Sequence, residues 1–361
     1  MDKIIKNILV KIENAGFKAY LVGGYVRDYL IGINSYDIDI CTSALPKELH
    51  KLFPSNSNSN TYGGFNLKIG KYNIDITTFR KELNYNGRKP VEILYIDNLE
   101  EDIQRRDFTI NTVCMDKSEK IIDLVNGVQD ICSKTIKMID NIDKRLEEDP
   151  LRILRAVRFA SVLDFNLEEE LYQKIKEKSY LVTSLSDIRI KEELNKILLN
   201  KNFLKGLNLL KELNILNYLK IDFDKIVYVN DLCGMWSQLT FIKNYAFTKQ
   251  ELKNIINIRQ IINEGTIDNY VLYKYGLYNS LVAAEILSIN KKQVHKLMNK
   301  LPIKSIKELQ ITSEEIIKLM QITPSNKVTD IKNEMINLIL NNKLKNKKND
   351  LVKYILMRKD D

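Results

Sequence analysis

The chain has 361 residues, of which 44% are hydrophobic and 29% are charged, so it can build more than one packed core and its composition excludes global disorder. Its formal net charge of +9 suits a polyanionic partner, either nucleic acid or an acidic membrane surface. Four cysteines without a CxxC pair and two distant histidines argue against a disulfide framework, zinc binding and a Ser–His–Asp triad.

Short helices and strands alternate in the amino-terminal part of the chain. Apolar residues at helical spacing predict a helix over residues 3–14, and Gly16 ends it. Apolar and alternating runs predict strands at 19–22, 37–40, 65–69, 72–79 and 91–95. Further helices are predicted at 26–30, at 46–52 and over most of 99–115. The polar segments 55–60 and 80–90 are predicted to be loops, the second of them mobile.

Beyond Asp143 the pattern is almost wholly helical, with long stretches of Leu, Ile, Lys and Glu and with prolines only at positions 150, 302 and 324. No segment repeats at a fixed period. The sequence therefore predicts an α+β domain that ends near residue 137, followed by an all-α remainder. A basic cluster at 341–349 fits a solvated helix end and an RNA-binding patch equally well.

Three acidic residues fall on predicted strands of the α+β domain: Asp37 and Asp39 in the segment YDIDI, and Asp75 in NIDIT. Residues two apart in a strand point to the same face, so Asp37 and Asp39 project together while Ile38 and Ile40 face the core. Paired carboxylates with a phosphate substrate indicate Mg²⁺. Taken alone, the pair also fits an ordinary exposed strand face. Asp75 adds a further ligand if its strand lies next to the first.

A candidate phosphate-binding turn precedes the two aspartates. Gly23 and Gly24 stand between a predicted strand and a predicted helix, where glycine permits a tight turn and free backbone N–H groups bind phosphate oxygens. Arg27 adds a charged donor. Two adjacent glycines alone are more often a simple turn, but the paired acids downstream indicate a nucleotide site. The absence of a GxxxxGK[ST] segment argues against a P-loop NTPase.

Three segments together resemble the motifs of the class II tRNA nucleotidyltransferase and bacterial poly(A) polymerase family. The first is GGYVRD at 23–28 followed by DID at 37–39. The second is RRDFTIN at 105–111, and the third is EDPLRILRAVRF at 148–159. They occur in the family's order within the first 200 residues.

The resemblance implies a nucleotidyltransferase head domain of the DNA polymerase β type with a mixed sheet, followed by an all-α neck, body and tail. The implied ranges are 1–137 for the head, 138–200 for the base-recognising neck, 201–285 for the body and 286–361 for a basic, tRNA-binding tail. The resemblance further implies that Asp37 and Asp39 are the catalytic, metal-binding carboxylates. Asp75 is expected to be a further catalytic residue if its strand lies next to theirs. The triphosphate contacts implied are Gly23, Gly24 and Arg27.

The second motif implies ribose recognition by Arg106, Asp107 and Asn111. A carboxylate and an amide can hold the 2′- and 3′-hydroxyls, so a substrate that lacks one hydroxyl leaves a polar group unpaired. Judged locally, Arg106 and Asp107 also fit an ion pair on a helix surface.

The third motif implies that Glu148, Asp149 and Arg152 recognise the incoming base, with Arg155 and Arg158 as additional nucleotide or RNA contacts. An acceptor beside a donor matches cytosine and adenine, whereas uracil and guanine present the reverse pattern. Protein side chains can then replace a nucleic-acid template. Judged locally, Asp149 also fits an N-cap that precedes a proline at the first helical position.

One family segment, SxERIxxEL, appears here as SDIRIKEEL at 186–194, with Ile188 where a glutamate is usual. In the family this segment braces the base-reading helix, so we expect a looser brace without loss of activity. Residues beyond 200 match no motif, which is usual for the variable body and tail.

Full CCA addition to tRNA from CTP and ATP is the activity that the sequence favours within the family. The segment GGFNLKI at 63–69 lacks the Gly-Arg-Arg-Phe-like pattern of the polymerase branch, and the segment 81–90, which CC-restricted enzymes lack, is present. The alternatives are CC-only or A-only addition, poly(A) synthesis and a non-catalytic tRNA-binding protein. The paired carboxylates disfavour the last of these.

The amino-terminal residues are amphipathic and charged, unlike a signal peptide, and no apolar run approaches the ~20 residues that span a bilayer. Together with the dispersed cysteines, this pattern predicts a cytoplasmic protein without a membrane partner. The sequence leaves the oligomeric state open.

Overall fold

The structure, a computed structural model, describes residues 1–53, 58–59, 64–86 and 89–359. The chain divides into two compact units, Met1–Ile221 and Asp222–Asp361. Of the predicted polar loop at 55–60, the structure describes only Asn58–Ser59, which form a short strand; the rest of that prediction lies outside the described residues.

The first unit contains a mixed β-sheet. The strands of this unit are β1 (Ala19–Val22), β2 (Asp37–Thr42), β3 (Asn58–Ser59), β4 (Gly64–Ile69), β5 (Tyr72–Thr78), β6 (Arg80–Asn86), β7 (Lys89–Tyr95), β8 (Cys114–Met115), β9 (Ile121–Ile122), β10 (Thr135–Ile136) and β11 (Asn166–Leu167). Seven of them pair in the order β3-β4-β5-β2-β1-β8-β9. β2 and β5 are parallel and the other pairs of this sheet are antiparallel, so the predicted mixed sheet is confirmed.

Helices complete the first unit. They are α1 (Lys3–Asn14), α2 (Gly24–Leu30), α3 (Pro46–Leu52), α4 (Leu99–Gln104), α5 (Gly127–Cys132), α6 (Ile142–Glu148), α7 (Leu151–Leu163), α8 (Glu169–Lys178), α9 (Asp187–Leu198), α10 (Phe203–Glu212) and α11 (Ile215–Leu219), with 3₁₀ turns at Thr109–Asn111 and Ser179–Ser184. α1 buries Ile5, Leu9 and Ile12, as the helical spacing predicts. α7 packs against α9 and α10, which holds the third motif in a helical core.

The second unit is almost wholly helical, as predicted. The two-residue strand β12 (Ile221–Asp222) stands at the boundary. Beyond it the elements are α12 (Leu232–Ser237), β13 (Thr240–Phe241), α13 (Lys249–Glu264), α14 (Asn269–Ile286), α15 (Lys291–Asn299), a 3₁₀ turn (Ile306–Glu308), α16 (Ser313–Met320), α17 (Asn326–Leu340) and α18 (Lys348–Lys359). Ile316, Met335 and Leu351 belong to a shared apolar core of α16, α17 and α18. Within the described part of the chain, no helix is long and apolar enough to cross a membrane.

The prediction of a mobile loop at 80–90 is wrong for the residues that the structure describes. β6 and β7 form an antiparallel hairpin, whose register runs from Arg80 opposite Tyr95 to Asn86 opposite Lys89. A polar composition does not prevent strand pairing where a face of the hairpin is open to water, and Val91 is two-thirds exposed here. Residues 87–88 lie outside the described residues.

The prediction of mostly helix over 99–115 is only partly right. α4 ends at Gln104, and the backbone at Phe108 is extended. Phe108 forms an isolated antiparallel bridge with Met138, and both Phe108 and Ile110 are fully buried. The bridge with Met138 requires extended backbone at Phe108, so the chain leaves the helix after the two arginines.

Candidate active site

A cavity of about 860 Å³ in the first unit collects residues from all three motifs. Eight basic side chains line it, against four carboxylates. The basic residues are Arg27, Arg80, Arg105, Arg106, Arg152, Arg155, Arg158 and Lys196, and the acidic ones are Asp39, Glu82, Asp107 and Asp149. This surplus of positive charge suits a polyphosphate ligand.

Asp37 and Asp39 project from the same face of β2, as the alternation predicts. Ile38 and Ile40 are each 1% exposed on the opposite face, while Asp37 is exposed and Asp39 is half-buried. Asp75 on β5 is the register partner of Asp39, because β2 and β5 run parallel side by side. The three predicted carboxylates are therefore neighbours in the sheet, although only Asp39 lines the cavity.

The chemistry of these carboxylates fits a divalent cation. Burial raises the pKa of Asp39 to about 6; the positive charge of Arg106 opposes this shift, whereas Asp75 and Asp37 add to it. A bound cation removes such repulsion between carboxylates. Among the described residues no group of three or more metal-ligating side chains occurs. Mg²⁺ in phosphate-transfer sites typically takes one or two protein carboxylates and completes its shell with water and substrate phosphate oxygens. Asp37 and Asp39 are the residues that could hold it.

The glycine turn touches the second aspartate directly. Gly23 has a φ of 77°, a conformation that favours glycine. A Cβ atom on Gly23 would lie 2.6 Å from Oδ2 of Asp39. The backbone N–H of Gly24 donates a hydrogen bond to the same carboxylate. The turn and the acid strand therefore form a single site, as the nucleotide-site interpretation of the sequence requires.

Residues from the three motifs form one hydrogen-bonded chain across the cavity. Arg27 pairs with Asp28 at 2.7 Å and donates from Nη1 to Oδ1 of Asn111 at 2.6 Å. Asn111 donates to Oδ1 of Asp107 at 3.4 Å, and Arg155 donates from Nε to Oδ2 of Asp107 at 2.7 Å. Burial acts to raise the pKa of Asp107, but Arg155 holds it below its usual value.

Arg106 pairs with Asp102 at 2.9 Å, while Asp107 pairs with Arg155. The surface ion pair between Arg106 and Asp107, considered from the sequence alone, is therefore replaced by two separate pairs. Asp102 is fully buried and also contacts Arg105 at 2.8 Å. Burial acts to lower the pKa of Arg106, but Asp102 raises it above its usual value, so the guanidinium stays charged beside Asp39.

Two of the three predicted base-reading residues lie at the surface of the cavity, and the third lies outside its lining. Asp149 and Arg152 line it, whereas Glu148 is not among the lining residues. Arg152 donates from Nη1 to Oε2 of Glu148 at 3.5 Å. Asp149 accepts a hydrogen bond from the N–H of Leu151 at 3.1 Å. Asp149 thus makes the capping contact of the local interpretation and also faces the cavity.

Glu193 connects α7 and α9. Its Oε2 accepts from Nε of Arg158 at 2.5 Å, and its Oε1 contacts Nζ of Lys196 at 3.1 Å. Arg158 also lies over the ring of Phe159, 4.0 Å from the centroid. Ile188, at the position where the family has glutamate, is 57% exposed. The departure from the family pattern therefore falls on the surface and removes no contact of the Glu193 pair.

Four charged residues of the cavity were not assigned from the sequence: Arg80, Glu82, Arg105 and Lys196. Arg105 directly precedes the predicted Arg106, and Lys196 lies one helical turn after Glu193. Both could therefore have been proposed as site residues from their neighbours in the sequence. Arg80 and Glu82 lie two apart on β6 and pair with each other. They could not be found because the segment was interpreted as a loop.

Comparison with known protein families matches most of the chain. Residues 19–137 match the model described as poly A polymerase head domain. Residues 164–225 match a probable RNA and SrmB-binding site of polymerase A, and residues 234–355 match a putative domain 2 of tRNA nucleotidyltransferase.

Curated relatives are similar over nearly the whole chain. The CCA-adding enzyme of Ligilactobacillus salivarius is 32% identical, over 91% of this chain and 89% of the relative. The CCA-adding enzyme of Staphylococcus haemolyticus is also 32% identical, over 97% and 96% of the two chains. Among solved structures, the Bacillus stearothermophilus CCA-adding enzyme in complex with CTP has the same fold, with a TM-score of 0.85, 24% identity and coverage of 100% and 98%. A Thermotoga maritima CCA-adding enzyme complexed with tRNA has a TM-score of 0.63 at 20% identity, over 99% and 96%.

Proposed function

The chain belongs to the CCA-adding enzymes, which are class II tRNA nucleotidyltransferases, and we propose that its arginine-lined cavity is where CTP and ATP bind for transfer to a tRNA 3′ end. The activity is template-independent nucleotidyl transfer that builds CCA and releases pyrophosphate. The observation that carries the assignment of the site is the contact of the Gly23–Gly24 turn with Asp39, inside a cavity that the second and third motifs complete.

The bond changes follow from this placement. Gly23, Gly24 and Arg27 bind the triphosphate, which places its α-phosphate at the carboxylates of β2. The 3′-oxygen of the RNA forms a bond to the α-phosphorus as the bond from that phosphorus to the bridging oxygen of the β-phosphate breaks. Pyrophosphate leaves, and the hydroxyl proton passes to solvent. The arginines around the cavity stabilise the negative charge that develops on the phosphate oxygens.

The family depends on a divalent metal. For this chain we propose Mg²⁺, held by Asp37 and Asp39, with Asp75 as a neighbouring carboxylate that adds to the negative charge of the site. When bound, the ion neutralises the phosphates and lowers the pKa of the attacking hydroxyl.

We assign ribose and base selection to side chains that line the cavity. Asp107 and Asn111 hold the ribose hydroxyls in this proposal, and Arg106 adds positive charge. Asp149 and Arg152 present an acceptor and a donor to the base edge, a pair that matches cytosine and adenine. Glu148 acts on the base through Arg152. We assign Arg155 and Arg158 to phosphate groups of the nucleotide or of the RNA, which their position in the lining of the cavity supports.

The ranges of the functional parts are also a proposal: a head at 1–137, a neck at 138–200, a body at 201–285 and a basic tail at 286–361 that binds tRNA. The match at 19–137 supports the head, whereas the match at 234–355 extends across both the body and the tail. We propose the cytoplasm as the compartment, which the four free cysteines support.

Incubation of the full chain with a tRNA that lacks its CCA end, MgCl₂ and labelled nucleotides tests the proposal. With CTP and ATP together, incorporation should stop after the three residues of the CCA end. Incorporation that stops after CC, long A tails, or RNA binding without incorporation would each overturn CCA addition, in favour of a restricted enzyme, a polymerase or a binding protein, respectively.

A further inference from the structure

One residue outside the cavity contacts every member of the base-reading set. Arg145 lies on α6, is 6% exposed and is not among the residues that line the cavity. Its guanidinium donates from Nη1 to Oε2 of Glu148 at 3.0 Å. Its backbone carbonyl accepts from the N–H of Asp149 at 3.3 Å and from Nη1 of Arg152 at 2.7 Å. A single residue thus fixes all three.

The shared carboxylate controls how Arg152 is paired. Oε2 of Glu148 accepts from Arg145 at 3.0 Å and from Arg152 at 3.5 Å, so two buried guanidinium groups flank one carboxylate. The nearer Arg145 satisfies most of the charge of Glu148, and the contact with Arg152 is correspondingly long. Nη2 of Arg152 contacts the carbonyl of Arg105 at 3.5 Å, which is long for a hydrogen bond. This nitrogen is the donor that a base in the cavity can use.

A second observation shows that Arg145 has unused hydrogen-bonding capacity. Its Nε is buried and donates to no acceptor in the described part of the chain. An unpaired buried N–H is costly, so it needs an acceptor in some state of the protein. Glu148, one turn away on α6, can accept from both Nε and Nη1 of Arg145 once Arg152 turns from it to a base. After this change of partners, none of the charges on Arg145, Glu148 and Arg152 is left buried without a partner.

We propose that Arg145 is a positioning residue for base selection: it holds Glu148 and thereby directs Arg152 toward a base that presents an amine beside a ring nitrogen. The inference rests on the proposed function of the cavity and deepens it. Without Arg145, Glu148 is left with Arg152 as its main buried partner, and the two close into an ion pair that competes with the base.

The test is the nucleotide selectivity of Arg145→Met, a change that keeps the length of the side chain but removes its charge and donors. In the full chain, the ratio of kcat/KM for CTP to that for UTP should fall roughly tenfold, chiefly through a higher KM for CTP. Lys144→Met is the matched control, because Lys144 is an exposed neighbour on the same helix and lies 3.9 Å from the other oxygen of Glu148. It should leave the ratio unchanged.

A double-mutant cycle separates positioning from general loss of structure. In a Glu148→Gln background, Arg145→Met should have little further effect on selectivity, because the carboxylate through which it acts is gone. If Arg145→Met does not fold, Arg145→Lys serves instead. Its CTP-to-UTP ratio should lie between that of the unaltered chain and the roughly tenfold lower value expected for Arg145→Met. An unchanged CTP-to-UTP ratio in a folded, active Arg145 variant overturns the inference and leaves the proposed function standing. If the unaltered chain incorporates no nucleotide, the proposed function fails and the inference fails with it.

Discussion

Oδ2 of Asp39 lies only 2.6 Å from the point where a Cβ atom on Gly23 would stand. The phosphate-binding turn and the acid strand are therefore in contact at a position where only glycine leaves room. Gly23 also has a φ of 77°, so two independent physical reasons require glycine there.

We expect Gly23→Ala to lower nucleotide incorporation by on the order of 100-fold, because a displacement of Asp39 by a fraction of an ångström misaligns the reacting atoms. Gly70→Ala is the control. Gly70 also has a positive φ, of 58°, but nothing lies within 4 Å of its Cβ position, so only backbone strain of about 1 kcal/mol is expected. Equal losses of activity in the two variants would show that the contact with Asp39 is unimportant.

Asp39→Asn should stabilise the metal-free protein at neutral pH. The folded-state pKa of Asp39 is raised from 3.8 to about 6, chiefly by burial, so the folded protein binds more protons than the unfolded chain between these values. This group therefore costs stability progressively as the pH rises from about 4 to about 6. In chelator, Asp39→Asn should raise the Tm by roughly 2–4 °C at about pH 7 and have little effect near pH 4. A lower Tm of Asp39→Asn at neutral pH would contradict the conclusion that burial of the charged Asp39 carboxylate costs stability.

Asp107→Asn should reduce the preference for ATP over dATP by roughly 10- to 100-fold, since a neutral amide oxygen accepts from the ribose hydroxyls more weakly than a charged carboxylate does. Asp130→Asn is the control, because Asp130 accepts from Thr109 of the same motif at 2.6 Å but is not among the residues that line the cavity. Competition between labelled ATP and dATP measures the ratio. An unaltered preference in Asp107→Asn would place ribose recognition elsewhere.

Lys196→Gln should weaken tRNA binding and reduce the slope of log affinity against log salt by about one, the loss of one phosphate contact. Arg189→Gln removes an exposed cation from the same helix, where Arg189 pairs with Glu192 at 2.8 Å and does not line the cavity. It should change the slope less. Equal slopes for Lys196→Gln and the unaltered chain would rule out a phosphate contact at Lys196.

Local patterns predicted the parts of the site that depend on neighbouring residues. The two-residue period of a strand placed Asp37 and Asp39 on one face, which needs only the geometry of one strand. The position of Asp75 stayed conditional in the sequence, because β5 pairs in parallel with β2 across a connection that contains α3, β3 and β4.

Long-range partners could not be predicted in the same way. The pair between Asp107 and Arg155 joins residues 48 apart, and Arg80 donates its N–H to the buried Asp102 across 22 positions. Such contacts depend on how the helices pack against the sheet, which no periodicity encodes. Strand β6 was missed for a different reason, because it is polar and lacks the apolar alternation of a strand with one buried face. Its partner β7 contains the predicted strand at 91–95.

The most direct test of the carboxylate pair on β2 as the metal-dependent reaction centre compares Asp39→Ala with the unaltered chain in two assays on the same tRNA. Incorporation of CTP in MgCl₂ should fall by at least about 1,000-fold, while tRNA affinity should stay within about threefold, because basic residues outside the pair carry RNA binding. Metal-dependent incorporation that persists in Asp39→Ala would contradict the assignment of the reaction to Asp37 and Asp39.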